Sequence, residues 1–212
     1  MTGSAANTAG PIRLLVGLGN PEPRDARTRH NAGFWLADAV AERWGGSFRS
    51  QSNVFGEVAD CQVGGQRLRL LKPMTYMNNS GRSVAAMANF YKVDTGAILV
   101  AHDEIDLPPG TVRLKRGGGH GGHNGLRDII PQLGSPDFAR LRIGVGHPGN
   151  KNAVVGYVLK PAPADEQRAI EESLALALSH FPDIIAGKFA SVMNSLHQKA
   201  PEPDANGKGE PS

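Results

Sequence analysis

Cysteine is almost absent from this chain of 212 residues, which contains only Cys61. A single thiol cannot form an internal disulfide, and it cannot supply the set of thiolates that a structural zinc site uses. We therefore interpret Cys61 as a small apolar residue on a strand, in a protein of a reducing compartment.

Long apolar runs are also missing. A membrane-spanning helix would need about 18 or more consecutive apolar residues, and the sequence has no such run. The first residues, MTGSAANTAGP, lack the basic and apolar segments of a signal peptide. We expect a cytoplasmic protein with no membrane span.

The overall composition is typical of one globular domain. Hydrophobic residues make up 40% of the chain and charged residues 20%, close to the averages for such domains. Segments 1–11 and 198–212 are dominated by small, polar, proline and charged residues, which bury too little apolar surface to offset the entropy of ordering. The sequence predicts a single domain over residues 12–197 between two flexible tails.

The charge is slightly positive, because 23 Lys and Arg residues face 20 Asp and Glu residues. The excess is concentrated in two stretches that contain no acidic residue. These are TVRLKRGGG, with Arg113, Lys115 and Arg116, and ARLRIGVGHPGNK, with Arg140, Arg142 and Lys151. Such clusters fit a polyanionic partner, and they fit a solvated rim equally well.

Hydrophobic periodicity predicts alternating strands and helices. IRLLVGLGN and AILVAHDEID are typical of buried strands, and VFGEVADCQVGGQRLRLLKP alternates around a Gly-Gly turn as a hairpin does. Helical spacing covers NAGFWLADAVAERWGG, SGRSVAAMANFYKV, LRDIIPQLG, and the segments Asp165 to His180 and Asp183 to His197. ARLRIGVG and AVVGYVL are predicted as further strands. We expect an α/β fold with a mixed central sheet surrounded by helices.

Polar side chains collect where these strands end. Asn20 follows the first strand, Asp103 follows AILVAH, Asn78 lies in YMNNSG, and Asn124 lies in the glycine loop RGGGHGGHNG. Ligands of open α/β sheets bind beyond the carboxyl ends of the strands. We therefore expect these four residues and His30 to converge on one cleft.

Two glycine-rich segments could indicate a nucleotide-binding site. GLGNPE places Gly17 and Gly19 after a strand, but the third glycine of the dinucleotide fingerprint would fall on Glu22, between two prolines. The loop GGGHGGHNG lacks the Lys and Ser/Thr of a P-loop, although its backbone N–H groups could hold an anion or a carbonyl. Both nucleotide interpretations are disfavoured.

A zinc site is the next alternative, because His120 and His123 could act with His102 and Asp103 as ligands. The spacing on one helix that zinc proteases use is absent, and a glycine loop would leave the ligands without support. We expect no metal.

Acid–base chemistry is a stronger interpretation. A histidine acting as a base needs a partner that fixes its tautomer, and Asp103 could serve His30 in activating a water molecule. Asparagine amides could hold a peptide-like carbonyl and stabilise an oxyanion. The pattern alone allows equally that His30 caps a helix and Asp103 caps a turn.

Six ordered motifs make the sequence resemble the bacterial peptidyl-tRNA hydrolase family. They are VGLGNP, TRHNAGF, KPMTYMNNSG, HDEIDLPPG, KRGGGHGGHNGLRDI and RLRIGVGHPG, spread from Val16 to Gly149. The resemblance covers about residues 12–197. It implies a monomeric enzyme without a cofactor, which cleaves the ester between a peptide and the 3′ end of tRNA and so recycles tRNA from stalled translation.

The resemblance also implies roles for individual residues. His30 is the base that activates water, and Asp103 is its partner. The peptide and ester site is formed by Asn20, which completes the catalytic set, and by Met77, Asn78, Gly121 and Asn124. Lys115 and Arg142 match the residues that hold the 5′-phosphate of the tRNA acceptor stem, and 146–152 matches a mobile lid.

One segment departs from the family pattern. After GNP the family usually has Gly, and a few residues later Tyr, where this chain has Glu22 and Asp25. Two rival functions remain: a non-catalytic RNA-binding relative of the same fold, and an esterase or amidase of small substrates. The complete set of Asn20, His30 and Asp103 argues against the first, and the basic clusters argue against the second.

Overall fold

The structure is a computed structural model that describes residues 10–196. Within this range the chain forms one seven-stranded sheet in the order β2-β3-β4-β1-β5-β7-β6. The strands are β1 (Leu14–Gly17), β2 (Arg49–Gln51), β3 (Gly56–Val63), β4 (Gln66–Pro73), β5 (Ile98–Glu104), β6 (Val112–Arg116) and β7 (Ala139–Gly144). The four central strands β4, β1, β5 and β7 are parallel, and the pairings β2–β3, β3–β4 and β6–β7 are antiparallel. The predicted mixed sheet is confirmed.

Helices cover both faces of the sheet. They are α1 (Ala32–Arg43), α2 (Ser80–Tyr91), α3 (Asn124–Leu133), α4 (Val154–Val158), α5 (Ala164–Ser179), α6 (Phe181–Ile185) and α7 (Phe189–Leu196). One apolar core joins the sheet to α1, α5, α6 and α7, and the other joins it to α2 and α3. Within residues 10–196, no helix is long and apolar enough to cross a membrane.

The elements with strong periodicity match their predictions. The hairpin of β3 and β4 turns at Gly64 and Gly65, whose φ angles of 57° and 81° lie in the left-handed region that glycine tolerates. The first helix lies unusually close to the sheet, because a Cβ on Gly33 would overlap the carbonyl oxygen of Ala101 in β5. This close approach brings the start of α1 to the end of β5.

The predicted strand AVVGYVL is wrong, because these residues form a 3₁₀ turn and α4. The cause is tertiary: the guanidinium of Arg29 donates to the carbonyl oxygens of Tyr157, Lys160 and Pro161, which are gathered where the short helix ends. Local β-propensity of the valines yields to these contacts.

The predicted helix Asp183 to His197 is interrupted. Its residues form α6 and α7, separated at Gly187, whose φ of 79° ends the first helix. Strands β2 and β6 were not predicted. In β6 the alternation of Val112 and Leu114 with basic residues was the available signal, but it was interpreted only as a charge cluster. The predicted boundaries of the domain and its tails stay predictions, since 1–9 and 197–212 lie outside the described residues.

Candidate active site

A cleft of about 890 Å³ opens at the carboxyl ends of the central strands. Its walls come from the segment after β1, the turn before α2, the end of β5, the glycine loop and α4. Seven of the nine residues predicted for the site line it: Asn20, His30, Met77, Asn78, Asp103, Gly121 and Asn124. The other two, Lys115 and Arg142, lie outside its walls.

His30 and Asp103 form a buried pair at the bottom of this cleft. Nδ1 of His30 lies 2.9 and 3.1 Å from the two carboxylate oxygens of Asp103. His30 belongs to a 3₁₀ turn, Arg29–Asn31, that runs directly into α1, and its ring points to the end of β5 instead of capping the helix. The alternative in which His30 is a helix cap is therefore wrong.

The electrostatics of the pair are set by burial and by mutual attraction. Burial acts to lower the pKa of His30, but the Asp103 carboxylate and a smaller contribution from Asp25 raise it above 6.5. Burial acts to raise the pKa of Asp103, and its two histidine neighbours lower it well below the ordinary value. Asp103 is therefore an anion that only accepts hydrogen bonds, so His30 carries its proton on Nδ1 and leaves Nε2 free as a base.

His123 joins His30 and Asp103 as a second histidine that contacts the carboxylate. The sequence did not predict this contact. It is the N-cap of α3, where its Nδ1 accepts hydrogen bonds from the backbone N–H groups of Gly125 and Leu126. Its proton must therefore be on Nε2, which donates to Oδ1 of Asp103 at 2.9 Å. The available signal was weak, because the predicted helix LRDIIPQLG begins at Leu126, three residues after His123, whereas α3 begins at Asn124.

The residues that lie close enough together to bind a metal ion are not the set that the sequence suggested, since His30 replaces His102 and His120. Donor atoms of His30, Asp103 and His123 lie within 4.8 Å of one another. Both imidazoles, however, direct N–H groups at the same carboxylate oxygen, which is the geometry of a hydrogen-bond network.

Burial and the adjacent His123 lower the pKa of His102 to about 3, and its Nδ1 lies 2.7 Å from the carbonyl oxygen of Asp103.

Asn20 is held rigidly in the cleft wall. Its side-chain oxygen accepts the backbone N–H of Met77 at 3.0 Å, and its own backbone exchanges hydrogen bonds with the side chain of Asn31. This bond to Met77 fixes the orientation of the amide and leaves its NH₂ group as a donor. Asn124 lies on the opposite wall, where its oxygen accepts from Arg127 at 3.2 Å.

A basic face lies beside the cleft on the antiparallel pair β6–β7. The register places Arg113 opposite Arg142 and Lys115 opposite Arg140, so four cations share one side of these strands. Only Arg142 has an acidic partner there among the described residues, Glu104 at 2.9 Å. Like charges directly opposite destabilise a strand pair, and of these four side chains Lys115 is exposed whereas Arg140 is buried.

Comparison with known proteins decides the family. A family model described as peptidyl-tRNA hydrolase matches residues 14–204. A peptidyl-tRNA hydrolase of Halorhodospira halophila is 55% identical over 192 residues, which cover 91% of this chain and 99% of that protein. This chain belongs to the peptidyl-tRNA hydrolase family.

Two further members support the assignment. The peptidyl-tRNA hydrolase of Neisseria gonorrhoeae is 50% identical and covers 89% of this chain and 98% of its own length. The crystal structure of the Acinetobacter baumannii peptidyl-tRNA hydrolase has a TM-score of 0.87 at 46% identity, covering 94% of this chain and all of that one. The predicted family and fold are both confirmed.

The departure from the family pattern lies at the rim of the cleft. The hydroxyl of Tyr76, which is 55% exposed, donates to the carboxylate of Glu22 at 3.2 Å. Asp25 ends a short 3₁₀ turn, and its carbonyl oxygen accepts from the backbone N–H and the hydroxyl of Thr28. The Glu22 carboxylate therefore lies at the rim of the cleft, where it is held by Tyr76.

The segment predicted as a lid borders the cleft on the far side. Gly146 and Gly149 have φ angles of 79° and 80°, and the side chain of Asn150 accepts the backbone N–H of Asn152 at 2.8 Å. The segment then continues into α4, whose Val155 lines the cleft with 64% of its surface exposed.

Proposed function

We propose that this chain hydrolyses the ester that joins a peptide to the 3′ end of tRNA, releasing the peptide and free tRNA. The observation that carries the proposal is the buried His30–Asp103 pair, in which Asp103 engages Nδ1 and Nε2 is the ring nitrogen left for a water molecule, in a cleft that Asn20, Asn78 and Asn124 also line. The reaction needs no cofactor, because a positioned imidazole can activate water by itself.

In this mechanism, Nε2 of His30 removes a proton from a water molecule as the water oxygen attacks the ester carbonyl. The imidazolium that forms is stabilised by Asp103 through Nδ1. The amide donors of Asn20, Asn78 and Asn124 hold the peptide and stabilise the oxyanion of the tetrahedral intermediate. The bond to the 3′ oxygen of tRNA then breaks, and His30 returns its proton to that oxygen.

The tRNA itself is proposed to lie across the basic face. Lys115 and Arg142 hold the 5′-phosphate of the acceptor stem, while the 3′ end enters the cleft past Met77 and Gly121. Support comes from the three cations of this face other than the buried Arg140, and from the single acidic partner that they have among the described residues. Since one chain supplies every group, we propose that the enzyme works as a monomer, and a cytoplasmic location remains a prediction.

The test is incubation of the purified protein with a peptidyl-tRNA, followed by separation of free from esterified tRNA. Release by the wild-type protein and its loss in His30→Ala are expected. Binding of tRNA without release would favour the non-catalytic RNA-binding relative. Equal cleavage of a small ester, insensitive to salt on both substrates, would favour the small-substrate esterase.

A further inference from the structure

The glycine loop, residues 117–123, connects the basic face to the catalytic residues. Its first residue, Gly117, donates its N–H to the carbonyl oxygen of Phe138 at 3.0 Å. Its last residue, His123, donates to Asp103 and begins α3. Seven residues that include five glycines have high conformational freedom, so something must hold the middle of this loop.

Arg140 makes that central contact. Its two terminal nitrogens donate to the carbonyl oxygens of Gly118 and Gly119, one each. The residue is 3% exposed on strand β7, and among residues 10–196 no carboxylate lies within ion-pair distance of it. No carboxylate offsets the burial of this guanidinium, which also lies 4.7 Å from the ring centroid of Phe138, and its planar, two-pronged geometry fits the pair of carbonyl acceptors.

The same point of the loop touches the proposed phosphate site. Lys115 lies opposite Arg140 in the β6–β7 register, and its Nζ would be 2.9 Å from a Cβ placed on Gly118. Arg140 therefore lies between the exposed Lys115 and the loop that carries His123. Its own burial excludes it from direct contact with a phosphate.

We propose that Arg140 is a positioning residue of the hydrolysis reaction. Its guanidinium holds Gly118 and Gly119 so that His123, at the far end of the same loop, and Asn124, the first residue of α3, keep their places in the cleft. It touches neither substrate nor water and acts through the loop alone. This inference rests on the proposed function and adds a residue to it.

The first test is Arg140→Met, which keeps the aliphatic stem and removes both hydrogen bonds. We expect kcat to fall roughly 10- to 100-fold, because small displacements of catalytic groups cost this much. The loss should be equal on peptidyl-tRNA and on a minimal N-acetylaminoacyl ester without a 5′-phosphate, with little change in KM for the minimal ester. Arg69→Met is the matched control, since Arg69 is a largely buried arginine on β4 that stacks on Tyr91 away from the cleft.

The second test separates the effect of the two hydrogen bonds of Arg140 from the effect of its positive charge. Arg140→Lys keeps the positive charge but cannot present two parallel donors, so kcat should stay several-fold below wild type. In ¹⁵N spectra of histidine-labelled protein, His123 should lose its fixed Nε2–H tautomer in Arg140→Met and keep it in Arg69→Met. This spectrum reports the position of the loop without any activity measurement.

Two results would overturn the inference: wild-type kcat in Arg140→Met, or complete recovery of kcat in Arg140→Lys. If Arg140→Met does not fold, the Lys variant and its spectrum decide alone. A wild-type protein that cleaves neither substrate would refute the proposed function instead, so the two failures are distinguishable.

Discussion

The cleft and the basic face lie on either side of one glycine loop, and they are built in opposite ways. In the cleft, the ionised carboxylate of Asp103 is buried and satisfied by two imidazole N–H groups, and the amides of Asn20, Asn78 and Asn124 line the walls around it. On the basic face, cations stand opposite one another with a single acidic partner among the described residues.

The difference separates two tasks. Neutral, rigid donors suit a reaction centre, because they need no reorganisation as charge develops on the substrate. Exposed cations suit the attraction of a long polyanion, which depends on salt and tolerates imprecise positions. Substitutions in the cleft should therefore change the chemical step, and substitutions on the basic face should change binding.

The largest effect is expected from His30→Ala. Removal of a positioned base should reduce kcat by about 10²- to 10⁴-fold, which corresponds to roughly 3 to 5 kcal/mol of barrier. The melting temperature should change far less, and free tRNA release measures the loss. Activity within about threefold of wild type would refute the role of His30.

The next effect concerns substrate specificity, that is, which aminoacyl-tRNA esters the enzyme does not hydrolyse. A peptidyl group presents an amide beside the ester, which Asn20, Asn78 and Asn124 can pair, whereas a free aminoacyl group presents an ammonium that leaves some of them unpaired. We expect N-blocked aminoacyl-tRNA to be preferred by about 10² or more in kcat/KM. Asn78→Ala and Asn124→Ala should erode this preference, while His30→Ala slows both substrates alike. Similar cleavage of free and acetylated aminoacyl-tRNA by wild type would contradict this account.

A smaller effect is expected on the pH dependence of kcat/KM. His30 must be unprotonated to act, and its pKa is raised above 6.5, so the acid limb of kcat/KM should lie above that pH. Asp103→Asn removes the anion that favours the imidazolium, so the limb should move to lower pH by about one unit or more while the maximal rate falls. A pH–rate profile over the acid range measures both. An unchanged limb in the variant would show that the two residues are not coupled.

On the basic face, Lys115→Ala and Arg142→Ala should mainly raise KM for full-length peptidyl-tRNA. The log–log salt dependence of binding should become shallower by about one unit for each phosphate contact removed. A minimal ester without the 5′-phosphate is the control and should be nearly unaffected. Equal losses on both substrates would place these residues in folding or in the chemical step.

The smallest effect is expected from chelators, which should leave the rate unchanged. His30, Asp103 and His123 are close enough to bind a metal ion, but their protons already occupy the carboxylate. Activity that EDTA abolishes and zinc restores would assign these three residues as ligands.

Much of the fold followed from periodicity, because long amphipathic helices and buried strands carry their pattern locally. The site followed partly from strand ends, which is why Asn20, Asp103 and Asn124 were expected to converge. The prediction failed where distant contacts decide the conformation, as at α4, and where a neighbour in space defines a role, as for His123 and Arg140. No local sequence pattern indicates that His123, which caps α3, contacts the carboxylate of Asp103 at the end of β5.

The anchoring of Arg29 also has a consequence for the order in which the enzyme becomes active. Arg29, the residue before His30, binds carbonyl oxygens 128 to 132 residues further along the chain and pairs with Glu166 at 2.8 Å. Contacts of such high sequence separation form late, because their loops are costly to close. A nascent chain therefore cannot complete the contacts of the Arg29–Asn31 turn until the ribosome has translated beyond residue 166.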